Sequence, residues 1–381
     1  MRICIVARSL PPGYSGSFEY DQALALRNLG HDVHIISMDM RSIRRRRKLG
    51  MYSYSANGIP ITVVSIPLGA INKKVFYEIG TKAFSKAFKK IVQLYGDFDI
   101  IHPHFFDNIL MVKKALSCIM TNARFVATEH TNLSILEAYN RSSSMIDTVK
   151  STYSSPECLI TVSNDLKKII KESYNADNVV VHNIVDINTF RFINDNTRTN
   201  NDTKTVVSVG NLTKNKRMDM LIRCFVKAFN NDSHYKLVIC GGGSEIDSLE
   251  KEIKYLGCEK NVTLLGEITR QEIAGWFKKS DLFALLSQKE TFGVAFIEAM
   301  ASGLPVLSTK SGGPEDFIID EVGVLLDDDE EIIASKMKEM VINSHYNHEN
   351  ISKYVIEHFS PEIVATKLIQ IYKSLDNKER R

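Results

Sequence analysis

The feature that most constrains this chain is a repeated alternation of short apolar runs with amphipathic helical stretches. In the first half the runs are RICIVA, HDVHII, ITVVSI, DIIHPHF, RFVATEH and CLITVS; in the second they are TVVSVG, YKLVICG, VTLLG, DLFALLS and PVLST. A strand that is apolar on both faces has to be covered twice, and the helical stretches between the runs can do this only if neighbouring strands are parallel. The alternation occurs twice, over 381 residues that exceed what one core organises. The expected fold is therefore α/β, with two doubly wound (Rossmann-like) parallel-sheet domains facing a cleft. The expected bounds are 1–185 for the first domain, 186–204 for a polar linker containing RFINDNTRTNNDTK, and 205–360 for the second domain. A helix over about 361–381, after the break at Ser360-Pro361, is expected to pack back onto the first domain. Such sheets bind ligands beyond the carboxyl ends of their strands.

Composition narrows the class. A 44% hydrophobic, 24% charged chain supports sizeable cores and excludes wholesale disorder. The net charge of +3 is unevenly spread, because residues 1–100 carry 15 Lys/Arg against 7 Asp/Glu. That surplus predicts a basic surface on the first half. The six cysteines are scattered without a C-x-x-C pair, so neither a zinc site nor a disulfide framework is indicated. No stretch approaches the roughly 20 apolar residues of a membrane span, and the N-terminal apolar run is too short for a signal peptide. The expected location is the cytoplasm.

Four stretches at strand ends carry polar chemistry. Gly13 and Gly16, after the first strand, would let backbone amides approach an anion, or they make a plain strand-to-helix turn. In SVGNLTKNKRMDMLI, the cations Lys214, Lys216 and Arg217 gather where a helix begins, against the local dipole. A bound anion such as a pyrophosphate explains this placement, and a solvated charged turn is the alternative. CGGGSE supplies three glycines for a flat ligand pressed on backbone. Finally, ETFGVAFIEAMASGLPV holds Glu290 and, eight positions and about two helical turns further on, Glu298 among apolar neighbours. A buried carboxylate needs a partner. A ribose diol donates the two hydrogen bonds that Glu298 can accept; a nearby Lys or Arg would serve equally.

In this order, SGSFEY…GHDV, VHNIVDINTF, SVGNLTKNK, CGGGSE, ETFGVAFIEAMASGLPV and SGGPEDFI resemble the motifs of GT-B retaining glycosyltransferases of glycosyltransferase family 4. The resemblance spans essentially the whole chain, and its most specific part is the paired-glutamate element. It implies transfer of a hexosyl unit from a nucleoside-diphosphate sugar to a glycan or lipid-linked sugar, in cell-surface polysaccharide synthesis, with retention. By that resemblance Glu298 holds the ribose, Glu290 contacts donor-sugar hydroxyls, and amides at Thr291, Phe292 and Gly293 line the sugar and phosphate. Lys216 neutralises the diphosphate, with Gly210 and Asn211 beside it and Gly16 approaching from the other domain. The base lies near Gly241, Gly242, Gly243 and the turn Gly266–Ile268. His104 orients the donor sugar; a structural histidine is the other reading. Asn211 stands where the family often has an arginine, so Lys214 or Arg217 compensates or diphosphate stabilisation is weaker.

His104, Lys216 and Glu290 are thus the expected catalytic residues, and His130 and Thr131, in TEHTNL, the acceptor side. No cofactor or metal is expected, because no D-x-D motif is suitably placed and the acidic run at 327–329 reads as a solvated face. The expected donor is a UDP-sugar, with a GDP-sugar second. An anionic membrane is a further expected partner, through Arg41–Lys48 and a helix over 73–91 whose apolar stripe is Phe76, Ile79, Ala83, Phe84, Ala87, Phe88 and Ile91. Packing of that stripe on its own sheet is the competing reading. No nucleic-acid partner is expected. A nucleotide-sugar epimerase, a phosphorylase or a non-catalytic nucleotide-sugar-binding subunit stand as rivals, while a dehydrogenase is disfavoured by the absence of a full dinucleotide fingerprint.

Overall fold

A computed structural model describes residues 1–8, 10, 18–40, 48–68, 71–131, 133–140, 143–194 and 202–376. The chain divides into two compact units: unit 1 comprises Met1–Ile184 with Pro361–Arg381, and unit 2 comprises Val185–Ser360.

In unit 1 the strands are β1 (Arg2–Arg8), β2 (Asp32–Asp39), β3 (Gly50–Ala56), β4 (Ile59–Ser65), β5 (Ile100–Pro103), β6 (Arg124–Glu129), β7 (Cys158–Thr161) and β8 (Val179–Val180). Their helices are α1 (Phe18–Asn28), α2 (Lys73–Tyr95), α3 (Phe106–Leu116), α4 (Leu133–Tyr139), α5 (Ser143–Tyr153) and α6 (Asn164–Tyr174). The sheet order is β3-β4-β2-β1-β5-β6-β7-β8, which turns back on itself between β1 and β5. All pairings are parallel but one. The exception corrects the expected parallel sheet: β3 runs antiparallel to β4. Asn57 and Gly58 between them both take positive φ, 47° and 72°, the backbone of a two-residue hairpin turn.

Unit 2 contains β9 (Lys204–Val209), α7 (Met218–Phe229), β10 (Tyr235–Cys240), α8 (Ile246–Tyr255), β11 (Val262–Gly266), α9 (Arg270–Lys279), β12 (Leu282–Leu285), α10 (Val294–Ala301), β13 (Val306–Thr309), β14 (Gly323–Leu326), α11 (Glu330–Ile342) and α12 (His348–Phe359). Its sheet is parallel throughout, in the order β11-β10-β9-β12-β13-β14, and reverses between β9 and β12. The last helix, α13 (Pro361–Asp376), starts on a proline suited to a first helical turn. It buries Val364, Ala365, Leu368, Tyr372 and Leu375 in the core of unit 1, beside Ala23 and Leu26 of α1.

Two expectations change here. The segment after 185 is not a linker over its first part. The Asp186 carboxylate accepts from the amides of Asn188 and Thr189, Phe190 is buried against Phe277 at 5.8 Å, and Phe192 stacks on His348. Residues 195–201 of the expected linker lie outside the described residues. In α2, Phe84, Ala87, Phe88 and Ile91 are buried in the core, so that part of the stripe is not offered to a lipid, while Phe76, Ile79 and Ala83 are half-buried. The segment 41–47 of the basic run lies outside the described residues.

Replacing Phe190 by alanine should destabilise unit 2 by about 3–5 kcal/mol, the cost of emptying a core aromatic site. Denaturant unfolding followed on unit 2 checks this, and a change within about 0.5 kcal/mol, as at an exposed surface, would return the segment to linker status.

Candidate functional site

In unit 2 the polar residues collect at the carboxyl ends of β9 and β12, where the sheet order reverses. Here the backbone is laced across three strand ends. The amide of Gly210 donates to Cys240 O at 3.0 Å, that of Leu212 to Gly242 O at 2.8 Å, and that of Gly241 to Gly266 O at 2.8 Å. A side chain at Gly241 would meet Gly210 O at 1.9 Å, and one at Gly243 would meet Leu212 O at 2.2 Å. Only glycine permits this approach. The expected base-side residues, Gly241, Gly242 and Gly243 with the Gly266–Ile268 turn, thus form one surface with Gly210.

The 214–217 turn is tied to the loop after β12. Asn215 donates from Nδ2 to Lys289 O, and its own carbonyl accepts from the amide of Gln288. This brings Lys216 onto Glu290: Nζ pairs with the Glu290 carboxylate, which also accepts from Ser287 Oγ at 2.6 Å. The carboxylate is nearly buried, so its bond to the ammonium is stronger than an exposed pair's. Three residues on, Gly293 (φ 98°) opens α10. Phe292 contributes only backbone to this region, because its ring is core, 5.1 Å from Phe317. Thr291 sits between Glu290 and this ring, partly buried.

Glu298 has a protein partner. Arg270, at the start of α9, donates to it from Nη2 at 2.7 Å, and both side chains are largely buried. The ring of Phe190 lies 5.2 Å from the same guanidinium. Of the two readings of Glu298, the arginine pair is therefore the one the structure displays, and Arg270 was not foreseen. A carboxylate has acceptor capacity beyond one arginine, so the pair is compatible with hydroxyl donors at the same group.

Two further observations concern charge. Arg217 does not stand in for the missing arginine at Asn211. Its guanidinium donates to Leu286 O at 2.7 Å, Ser287 O at 3.3 Å and Thr309 Oγ1 at 3.2 Å, and pairs with Asp328. Asn211 and Lys214 are exposed. The 327–329 run is exposed, as expected of a solvated face, and from it Asp327 pairs with Lys310, Asp328 with Arg217, and Asp329 caps α11. Among the described residues no group of three His, Cys, Asp or Glu could hold a metal.

Unit 1 carries a second polar cluster, at the ends of β1, β5 and β6. Alternation along β5 puts His102 and His104 on one face, and their rings stack at 4.6 Å. His102 bonds Tyr372 Oη through Nδ1 and Thr128 Oγ1 through Nε2, both at 2.6 Å. His104 Nδ1 lies 2.9 Å from His130 Nε2. The fully buried Glu129 fixes the following loop, accepting from the amides of His130 (2.8 Å) and Thr131 (2.5 Å) and from Tyr153 Oη (2.8 Å). The structure thus joins His104 to His130, one of the two residues expected on the acceptor side, while Thr131 is held by Glu129. His102, Arg8 and Glu129 went unnoticed, though the i, i+2 histidines of HPH were a readable sign. Gly16 lies outside the described residues.

Burial keeps these imidazoles neutral. It lowers His102 from its ordinary 6.5 to about 3, and it lowers His104 and His130 well below that ordinary value, with neighbouring histidines and Arg8 adding to the effect. Burial also raises Glu129, against the hydrogen bonds that favour its carboxylate.

Each such histidine binds protons more weakly folded than unfolded, so its contribution is complete above its ordinary 6.5 and lost as the pH falls toward the depressed value. His102 alone should remove up to about 1.4 kcal/mol per pH unit within that window. Urea midpoints between pH 7.5 and 5 should therefore drop steeply for unit 1, and His102→Gln should flatten the drop. An unchanged midpoint in the wild type would contradict the buried neutral histidines.

Comparison with known proteins agrees with this arrangement. The family model described as Glycosyltransferase Family 4 matches residues 17–189, and that described as Glycosyl transferases group 1 matches 189–373. N-acetyl-alpha-D-glucosaminyl L-malate synthase of Bacillus anthracis is 23% identical over 376 residues, covering 95% of this chain and 93% of its own. An uncharacterized glycosyltransferase of Methanocaldococcus jannaschii is 31% identical over 240 residues, 58% of this chain and 61% of its own. Among solved structures, sucrose-phosphate synthase of Thermosynechococcus elongatus superposes with a TM-score of 0.79 at 19% identity, over 98% of this chain and 99% of that one. HepE of Anabaena, in complex with UDP-glucose, superposes with a TM-score of 0.73 at 18% identity, over 98% and 100%. With two parallel α/β units and both halves matched, the chain belongs to the GT-B glycosyltransferases of the family 4 type.

Proposed function

We propose that this glycosyltransferase retains anomeric configuration and moves a hexosyl unit from a nucleoside-diphosphate sugar, a UDP-sugar first, to a glycan or lipid-linked sugar of the cell surface. The observation that carries the proposal is the nearly buried Lys216–Glu290 pair, set where the sheet of unit 2 reverses and four residues before α10. A diphosphate competes for Lys216 with more negative charge than Glu290 carries. Its arrival frees the Glu290 carboxylate to accept from donor-sugar hydroxyls. As the sugar leaves, charge builds on the diphosphate, and a pre-placed ammonium and the start of α10 stabilise it there. Glu298 accepts the ribose hydroxyls while Arg270 holds its other side.

Retaining hydrolases place two carboxylates close together with one as nucleophile. Glu290, committed in that complex to the donor-sugar hydroxyls, is unsuited to that role, which favours attack on the face the diphosphate leaves. The sugar C1–O(phosphate) bond breaks, C1–O(acceptor) forms, and the acceptor proton passes to the departing phosphate oxygen. His104 of unit 1 is neutral and orients the sugar rather than taking that proton. The reading includes no metal. Structures of HepE contain UDP and UDP-glucose, which supports the choice of donor. Acceptors named for relatives differ widely, malate among them, and none is carried over.

A lipid-linked acceptor has one supporting observation. Lys82, Lys86 and Lys89 of α2 and Lys114 of α3 line a groove of about 630 Å³. Contact with anionic lipid then depends on lysines and not on the apolar stripe, at about 1 kcal/mol per cation near the surface. Co-sedimentation with vesicles should rise with anionic lipid and fall when these lysines are replaced; indifference to both removes the membrane from the reading.

For the reaction itself, Lys216→Ala should lower kcat by about 10²–10³, and Glu298→Ala should raise the Kd of UDP. In a thermal-shift series over UDP, GDP and ADP sugars, a true donor at 100 times its Kd adds about 2.7 kcal/mol. Transfer with a retained anomer, persisting in EDTA, completes the expected result. Conversion of the nucleotide-sugar without acceptor, or binding without turnover, would instead favour an epimerase or a non-catalytic subunit.

A further inference from the structure

The carboxyl-end face of unit 1 carries two cations that the proposed transfer leaves without a role. Arg8, the last residue of β1, is exposed and lays its guanidinium on the ring of Phe105, 3.0 Å from the centroid. Lys73, the first residue of α2, is exposed and stands 5.3 Å from the centroid of the Tyr139 ring. The two rings belong to one aromatic tract. Phe106, next in sequence to Phe105, packs on Tyr139 at 4.9 Å, and Phe105 itself meets Phe18 at 5.6 Å and His130 at 5.0 Å. Arg8 is also among the charges that hold His130 neutral, so its field reaches a residue expected on the acceptor side.

The ring under Arg8 is held in a strained place. Phe105 is a non-glycine residue at φ 68°, ψ 148°, with its amide donating to Thr128 O at 2.9 Å. Such conformations persist where the surroundings over-determine them, and they gather at ligand sites. Stacking uses the face of a guanidinium. Its N–H donors point outward in the plane, where they match a carboxylate or a phosphate two at a time. The acidic side chains nearest in the fold are already engaged. Fully buried Glu129 accepts from two amides and from Tyr153 Oη, and buried Glu19 accepts from the amide of Arg8 at 3.3 Å. Half-buried Asp107 accepts from Tyr77 Oη at 2.7 Å. Arg8 and Lys73 thus bring positive charge beside neutral imidazoles. Neutral imidazoles suit sugar hydroxyls, and a guanidinium fixed on a ring suits an anion.

We propose that Arg8 is a specificity-determining residue for the acceptor: the acceptor sugar carries an anionic group, a carboxylate or a phosphate, that the edge of the guanidinium binds. Phe105 fixes the plane of the guanidinium, and Lys73 adds charge of the same sign. The inference rests on the proposed transfer to a sugar and deepens it by giving that sugar a negative charge. The site is separate from the lysine groove of α2 and α3, whose lining contains neither Arg8 nor Lys73.

The test is calorimetric titration of the full chain, with UDP at saturation to occupy Lys216. The probes are methyl glucuronide, glucose 1-phosphate and the neutral methyl glucoside. One anion or both should bind at least about tenfold more tightly than the neutral glycoside, and added salt should shrink the difference. Arg8→Ala should erase the preference and leave the Kd of UDP unchanged. Arg8→Lys, which keeps the charge but not the flat fork, should retain only part of it. Preference for the glucuronide alone identifies an acidic sugar, and for glucose 1-phosphate alone a phosphorylated one. Equal binding of the neutral glycoside overturns the proposal, as does a preference that survives Arg8→Ala or the failure of both anions to bind. Should Arg8→Ala not fold, Arg8→Gln takes its place with the same outcomes. The donor reading is judged apart, by titration with UDP, GDP and ADP sugars. A chain that binds none of these loses the proposed function, whereas loss of the anion preference alone removes only this inference.

Discussion

A parallel sheet sealed by helices on both faces leaves its polar side chains one outlet, the ends of the strands. Along β1, β9 and β12 the middle residues are apolar or small and buried, and at the carboxyl ends of these strands and of β5 come Arg8, His104, Gly210 and the 286–290 loop. The reversal of strand order then decides which ends stand open, because only there do the following helices depart to opposite faces. Chemistry collects where the covalent chain cannot close the sheet. In unit 2 that place holds Lys216 and Glu290, and in unit 1 the histidines.

The two clusters solve burial in opposite ways. In unit 2, charges are kept and compensated: Lys216 with Glu290, Arg270 with Glu298, Arg217 with carbonyls and Asp328. Each opposite charge offsets much of the desolvation that burial imposes. In unit 1, His102, His104 and His130 give up charge altogether and depend on hydrogen bonds. A site of paired ions suits a charged ligand that can displace one partner. A neutral one suits hydroxyl groups, which need oriented donors and acceptors more than they need a field.

Much of this was legible in the residues. Strands with apolar residues on both faces announced the parallel sheets, and the paired glutamates and the lysine turn marked the strand ends of unit 2. What escaped notice divides into two kinds. The β3–β4 hairpin and the HPH pair carried local signals, Asn57-Gly58 and the i, i+2 spacing, that a closer reading would have found. By contrast, the Arg270–Glu298 pair, the diversion of Arg217 into backbone carbonyls and the docking of Phe190 on Phe277 arise from elements distant in sequence. Their partners are fixed by how helices lie on a sheet, which periodicity does not encode. The stripe of α2 shows the same limit from the other side. Its spacing revealed an amphipathic helix but not what the apolar face would meet, and that face met its own core.

The return of α13 to unit 1 has a consequence for how the molecule is made. Unit 2 is one uninterrupted stretch, Val185–Ser360, whereas unit 1 is assembled from two pieces of chain. During synthesis, which proceeds from the N-terminus at a few residues per second or faster, the strands of unit 1 emerge first. Yet the face that takes Val364, Leu368 and Tyr372 stays uncovered until the last helix leaves the ribosome. Until then Tyr372 is not there to bond His102. The earlier-made half is therefore the later one to be sealed, and its apolar flank is what a nascent-chain chaperone would meet.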